Sequence, residues 1–153
     1  MEFEIEEMNL NELHETLKLV KEVFDEFELP DYSQEGIKTF YEFSNYNNIL
    51  KNLNCNLKIF VAKSNSKIVG MIAIRDLSHI AMLFVDKKYH RKGIAKALIE
   101  KIKELTISDI ITVNSSPYAI DFYHKMGFEN IENEKIDSGI RFTPMKLKKI
   151  IEN

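Results

Sequence analysis

The chain is short of the residues that build the commonest chemical sites. It holds one cysteine, Cys55, which excludes an internal disulfide and a cysteine-rich zinc site. Cys55 lies in a polar, asparagine-rich stretch and belongs to no motif. The histidines His14, His79, His90 and His124 are scattered, and neither H-E-x-x-H nor a metal-spaced His/Cys cluster occurs. The glycines never fall into G-x-G-x-x-G, so a Rossmann dinucleotide site is not expected. Nor do they form G-x-x-x-x-G-K-[ST], which excludes an NTPase P-loop. No apolar run approaches the roughly 18 residues of a membrane span, and no signal peptide is visible. The natural reading is a cytoplasmic protein without a membrane partner. A basic excess is missing too. With 21 Lys and Arg against 24 Asp and Glu, the net charge is −3. The pI of about 5.8 argues against a nucleic-acid partner.

What is present is an ordinary globular composition, 44% hydrophobic and 29% charged over 153 residues. A single domain over 1–153 should bury about 70% of its unfolded surface without staples. Residues 2–7 alternate as an edge strand. From Asn9 the period changes. Leu10, Leu13, Leu17, Val20, Phe24 and Phe27 recur at helical steps, with Asn9 and Glu12 as a capping box and Pro30 as the stop. A second helix is expected over 33–44, with Ile37, Phe40 and Tyr41 inward. Residues 45–56 read either as a short helix or as a loop. Strands are expected at 57–63, 67–75 and 79–85, joined by turn-like links. A helix then opens near Arg91 with Ala95, Leu98, Ile102 and Leu105 inward. A buried strand at 110–114 leads to a helix capped by Ser116 with Pro117 at its first position. That helix ends at Gly127, with Phe128 folding back. Two strands, near 128–132 and 139–148, complete the chain. The order β-α-α-β-β-β-α-β-α-β-β implies an α/β fold with a mixed sheet and helices on both faces.

The most informative stretch runs from Leu83 to Leu98. An apolar strand passes through a basic turn into a helix opened by Gly93. Such a turn presents free backbone N–H groups and the positive end of a helix dipole, the chemistry of a phosphate site. Lys87, Lys88, His90, Arg91, Lys92 and Lys96 crowd it, although the chain as a whole is acidic.

This segment resembles motif A of the GNAT superfamily of acyl-CoA-dependent N-acetyltransferases, whose Q/R-x-x-G-x-G/A stands here as His90-Arg91-Lys92-Gly93-Ile94-Ala95. His90 replaces the usual Gln or Arg. The stretch Asn114 to Phe128 resembles motif B of the same family, N-x-S-x-x-A-x-x-F-Y-x-K-x-G-F. Two motifs in the right order are far more specific than either alone, and the resemblance extends over roughly 57–148. It implies a GNAT-like mixed, mostly antiparallel sheet of about six to seven strands flanked by about four helices. It also implies acetyl-CoA as co-substrate, no metal, and a primary amine on a small molecule or peptide as acceptor. A homodimer is compatible with it.

The resemblance implies roles residue by residue. Backbone groups from Arg91 through Lys92, Gly93, Ile94 and Ala95 to Lys96 would hold the CoA pyrophosphate, with His90 beside them. Main-chain groups of Leu83, Phe84 and Val85 would pair with the pantetheine arm, and one N–H there would polarise the thioester carbonyl. Asn114 would contact the pantetheine or orient the site. The Tyr123 hydroxyl would meet the leaving sulfur. Transfer would be direct, so no enzyme nucleophile is needed. Asp76, His79 and Glu42 are the candidates for the base that deprotonates the amine. Asp25, Glu26, Glu28, Asp31 and Glu35 read as a solvated face, and Arg141 as a surface residue. A non-catalytic acyl-CoA sensor is the alternative function.

Overall fold

A computed structural model describes residues 2–149. Eight strands form the sheets, and their order explains where the cleft lies. They are β1 (Glu4–Glu7), β2 (Leu57–Ser64), β3 (Lys67–Arg75), β4 (His79–Val85), β5 (Ile110–Ser115), β6 (Glu129–Asn130), β7 (Lys135–Asp137) and β8 (Ile140–Lys148). The path is β1-β2-β3-β4-β5-β8-β6, with β7 paired to β8 off the path. Every pairing is antiparallel except β4 with β5. The count exceeds the six to seven expected because the chain between Phe128 and Ile140 pairs with β8 in two short pieces.

The β2–β3 hairpin turns at Asn65 and Ser66, both at positive φ (50° and 64°). This two-residue left-handed turn matches the twist of its strands. Burial on both faces then follows from alternation. Phe60, Ala62, Ile72 and Ile74 face one core, while Ile59, Val61, Met71 and Ala73 face the other.

Five α-helices cover these faces, against about four expected: α1 (Leu13–Val23), α2 (Gln34–Phe43), α3 (Tyr46–Leu53), α4 (Ile94–Leu105) and α5 (Ile120–Lys125). Helix α3 settles the ambiguous 45–56 segment. Asn45 caps it by accepting from the Asn48 N–H at 2.8 Å, and Ile49 is buried beneath it. The Asn9 N–H donates to Glu12 at 2.9 Å, as the capping box requires. Helix α4 buries Ile94, Leu98, Ile99 and Ile102. Leu105, expected inward, is the last residue of α4 and is 39% exposed, and Ala95 is only half-buried.

The helix expected to start at Pro117 starts at Ile120. Ser116 does cap, accepting from the Ala119 N–H at 3.2 Å, but the cap closes a turn over 117–119 before α5 begins. At the other end Gly127 has φ +100°, and the Phe128 N–H returns to the Tyr123 carbonyl at 3.0 Å.

Helix α1 does not run regularly to Pro30. It widens into a π turn over Phe24–Glu28, where the Leu29 N–H donates to the Phe24 carbonyl five residues back. A 3-10 turn over Leu29–Asp31 follows.

Candidate functional site

Strands β4 and β5 are bonded at His79 with Thr112 and at Ile80 with Val113, and then part. Strand β4 bulges at Ala81, since Ala73 pairs with Met82 while Ile74 pairs with Ile80. A bulge sharpens the local twist, and the end of β4 leaves its parallel neighbour. Beyond Ile80 and Val113 no further β4–β5 pairing holds the two strands together. Leu83, Phe84 and Val85 lie on the diverging arm, beyond the last β4–β5 pairing.

Against the end of β4 is a cavity of about 390 Å³ walled by Leu83, Phe84, Val85, Tyr89, His90, Arg91, Gly93, Ile94, Ala95, Lys96, Tyr118, Phe122 and Tyr123. Ten of the twelve residues expected at the donor site meet here. Lys92 stands exposed outside the wall, and Asn114 belongs to the adjoining cavity. The cradle itself is backbone. Arg91 and Gly93 both take positive φ, 62° and 83°, which turns successive N–H groups inward as an anion nest. A Cβ on Gly93 would meet nothing within 4 Å, so what the position asks of its residue is the positive φ. The first α4 N–H bonded within the helix is that of Ala97, to the Gly93 carbonyl at 3.0 Å. The N–H groups before it have no helical acceptor to reach. Open space, orphan donors and surrounding cations suit a diphosphate, so these residues fit the phosphate end of an acyl-CoA.

His90 does something its motif position did not announce. Its Nε2 lies 2.7 Å from the Val85 carbonyl, which can only accept, so the imidazole donates and ties the turn to the end of β4. Its ring also packs at 5.1 Å from that of Phe27.

The second cavity is about 450 Å³. Its walls include Tyr32, Phe40, Phe43, Arg75, His79, Met82, Asn114, Asp137, Ile140 and Phe142. Both cavities are bounded by Leu83, Phe84, Ala119, Tyr123 and Glu28, so they meet there. Tyr123 is 4% exposed. Burial, and then the Glu28 carboxylate, hold its phenol far above the ordinary value. The hydroxyl is therefore a donor throughout the working pH range.

Glu28 is the residue that the solvated-face reading missed. At about 100° per residue it falls about 40° from Phe24 and about 20° from Leu17, on the apolar side of the helix, and it lines both cavities at their junction. Burial, then repulsion from Asp31, push its carboxyl up to about 7. Its place on the helix face of Leu17 and Phe24 was the signal in the sequence, a carboxylate among inward-pointing apolar residues.

The expected bases divide. His79 lines the second cavity, with Nδ1 at 2.8 Å from Thr112 Oγ1, and burial followed by the Arg75 charge lowers its pKa. Asp76 is exposed in the β3–β4 turn. Glu42 is exposed on α2, 3.8 Å from Lys38, and outside both cavities. Arg141 pairs with Glu134 at 3.2 Å, and Cys55 is exposed.

Comparison with known proteins agrees with this geometry. A family model described as an acetyltransferase (GNAT) domain matches residues 28–149. The uncharacterized N-acetyltransferase YafP of Escherichia coli K12 is 32% identical over 80 residues, covering 52% of this chain and 51% of that protein. The chain thus spans about half the length of this curated relative. A GCN5-related N-acetyltransferase structure from Rhodopseudomonas palustris superposes with TM-score 0.83, at 20% identity over 95% of both chains. The PaiA N-acetyltransferase of Thermoplasma acidophilum, solved in complex with coenzyme A, gives 0.78 at 20% identity, over 97% of this chain and 100% of that one. At such identities these structures are similar in fold.

Proposed function

The chain belongs to the GNAT acetyltransferase family, and from that premise we propose that it is an acetyl-CoA-dependent N-acetyltransferase that acetylates a primary amine by direct transfer. The observation that carries the reading is the meeting of two cavities at Leu83, Phe84, Ala119, Tyr123 and Glu28. A donor chamber with a phosphate cradle opens there into a chamber of its own size for an acceptor. A sensor of acyl-CoA needs only the first.

The bound acyl donor supplies an activated acetyl group, and this chain's residues hold and deprotonate around it. Backbone N–H groups between Arg91 and Lys96 grip the diphosphate, while exposed Lys88, Lys92 and Lys96 add attraction. The free edge of Leu83 to Val85 aligns the pantetheine arm and offers one N–H to the thioester oxygen. Glu28 takes the proton of the incoming ammonium. Its pKa near 7 keeps it ionised enough at neutral pH to accept. Tyr123 acts on the sulfur. Because its pKa lies far above that of a thiol (about 8.5), it stabilises the departing thiolate by donating a hydrogen bond rather than by giving up its proton. Asn114, on the wall of the second cavity, orients the amine side of the junction.

The decisive experiment is free-thiol release from acetyl-CoA across a panel of amines. Acetyl-CoA binding without thiol release on any amine would leave the sensor reading instead.

A further inference from the structure

Of the charged side chains on the wall of the second cavity, Arg75 has no partner that explains it. Arg75 closes β3, opposite His79 across the hairpin. It is half-buried, and its guanidinium stands 5.9 Å from the centre of the Phe43 ring, facing the cavity it lines. Among the described residues, no carboxylate lies within 4.0 Å of it and no side-chain hydrogen bond engages it. Arg141, nearby on β8, is by contrast held by Glu134 and by the Asp31 carbonyl. His79 beside Arg75 can be neutral or cationic but never an anionic partner, and burial followed by the Arg75 charge lowers its pKa. A half-buried guanidinium over the face of an aromatic ring, on a cavity wall and without an anionic partner, suits a carboxylate.

The spacing matters as much as the charge. From Leu83, at the junction, to His79, level with Arg75, is four residues of β4, about 13 Å at the usual rise and less across the bulge. Phe40, Phe43, Met82 and Phe142 form the apolar wall between. An ammonium at Glu28 and an anion at Arg75 would thus stand on the order of 10 Å apart, the span of about three extended residues.

We propose that Arg75 selects the acceptor, and that the acceptor is an amine with an apolar body ending in a carboxylate about 10 Å away, as in a short apolar peptide. The inference rests on reading the second cavity as the acceptor chamber. Among the described residues the wall carries one more carboxylate besides Glu28, that of Asp137 on the exposed rim. It sets the opposite possibility, a cationic far end, which the test must separate.

The probes are Gly-Phe-Leu with a free carboxylate and the same peptide as its C-terminal amide, titrated calorimetrically into the protein saturated with CoA. The acid should bind at least about tenfold tighter than the amide. Arg75→Gln should bring the acid down to the amide's level and leave the amide unchanged. Arg75→Lys should keep part of the preference, and Asp137→Asn should increase it. Equal binding, no measurable binding of either peptide, or a preference for the amide that Asp137→Asn removes, would overturn the proposal. Thiol release run in parallel keeps the two readings apart. Acid preference without release sinks the catalytic reading alone, and release with equal use of acid and amide sinks this one alone.

Discussion

Tyr123, Glu28 and Gly93 each owe their chemistry to where burial and backbone place them. A hydrogen bond to a developing thiolate contributes roughly 1.5–3 kcal/mol. Tyr123→Phe should therefore cut kcat by about ten- to a hundredfold, with little change in CoA affinity, since the phosphate grip lies elsewhere. Full activity in Tyr123→Phe across pH would remove Tyr123 from the chemistry. For Glu28 the base form grows as pH rises through about 7. The kcat/KM profile of the wild type should thus rise with an inflection near that value. In Glu28→Gln the inflection should vanish and the rate fall by on the order of a hundredfold or more. Gly93 and His90 invite a direct comparison by CoA titration. A bulky residue at Gly93 must adopt φ +83°, whereas Gln at position 90 can still donate to the Val85 carbonyl. Gly93→Val should weaken CoA binding far more than His90→Gln, and the reverse ranking would put recognition in the side chains.

At the scale of elements, three joints make the site: the β4 bulge, the π turn after α1, and the contact of α2 with the β7–β8 turn. The last is the closest backbone approach of the three. A Cβ on Gly36 would lie 2.2 Å from the Gly139 carbonyl oxygen, and Thr39 Oγ1 donates to the Ser138 carbonyl at 2.8 Å beside it. Gly36→Ala must push α2 and the turn apart, and the obstacle is backbone that cannot rotate away. The expected cost is about 1–3 kcal/mol in denaturant unfolding, with CoA affinity unchanged because the damage is confined to the second cavity. The aromatic series Phe24, Phe40 and Phe84 ties the π turn to α2 and β4. Phe24 stacks on Phe40 at 3.9 Å, and Phe40 meets Phe84 edge-on at 5.9 Å. The π turn that carries Glu28 is therefore packed, through Phe40, against β4.

Over the whole molecule, one sheet buried on both faces supplies the stability that lets these joints hold an unfavourable group. Glu28 is such a group. Its folded pKa, about 7, lies above the ordinary carboxylate value of 4.5. The folded state therefore binds more protons than the unfolded state between those values, and stability falls as pH rises through that window. Glu28→Gln, neutral at every pH, should be the more stable protein at pH 8, with the gap closing toward pH 4.5. A gap constant across this range in thermal melts would mean that Glu28 is not held against its charge. The net charge of −3 has a local reading as well. Exposed Lys88, Arg91, Lys92 and Lys96 surround the cradle of this acidic chain, and the wall of the second cavity carries the Arg75 guanidinium.

What the sequence alone determined is what contiguous residues encode. The strand–turn–helix from Leu83 to Leu98, the Ser116 cap, the Gly127 stop and the placing of Tyr123 all depend on hydrogen bonds and dihedral preferences within a few residues. They were legible for that reason. Hydrophobic spacing likewise gave the order of elements along the chain, while the order of strands within the sheet is set by long-range pairing. Leu105 shares the apolar period of α4 and is 39% exposed all the same, and the tail pairs with β8 in two short pieces. Tertiary structure alone decided the rest. Glu28, Arg75, Asn114 and Phe142 come from four distant parts of the chain, and no period or motif links them. They meet because strand pairing and helix packing bring those parts of the chain to the wall of one cavity. The first cavity is built largely from local backbone, and the second from long-range packing.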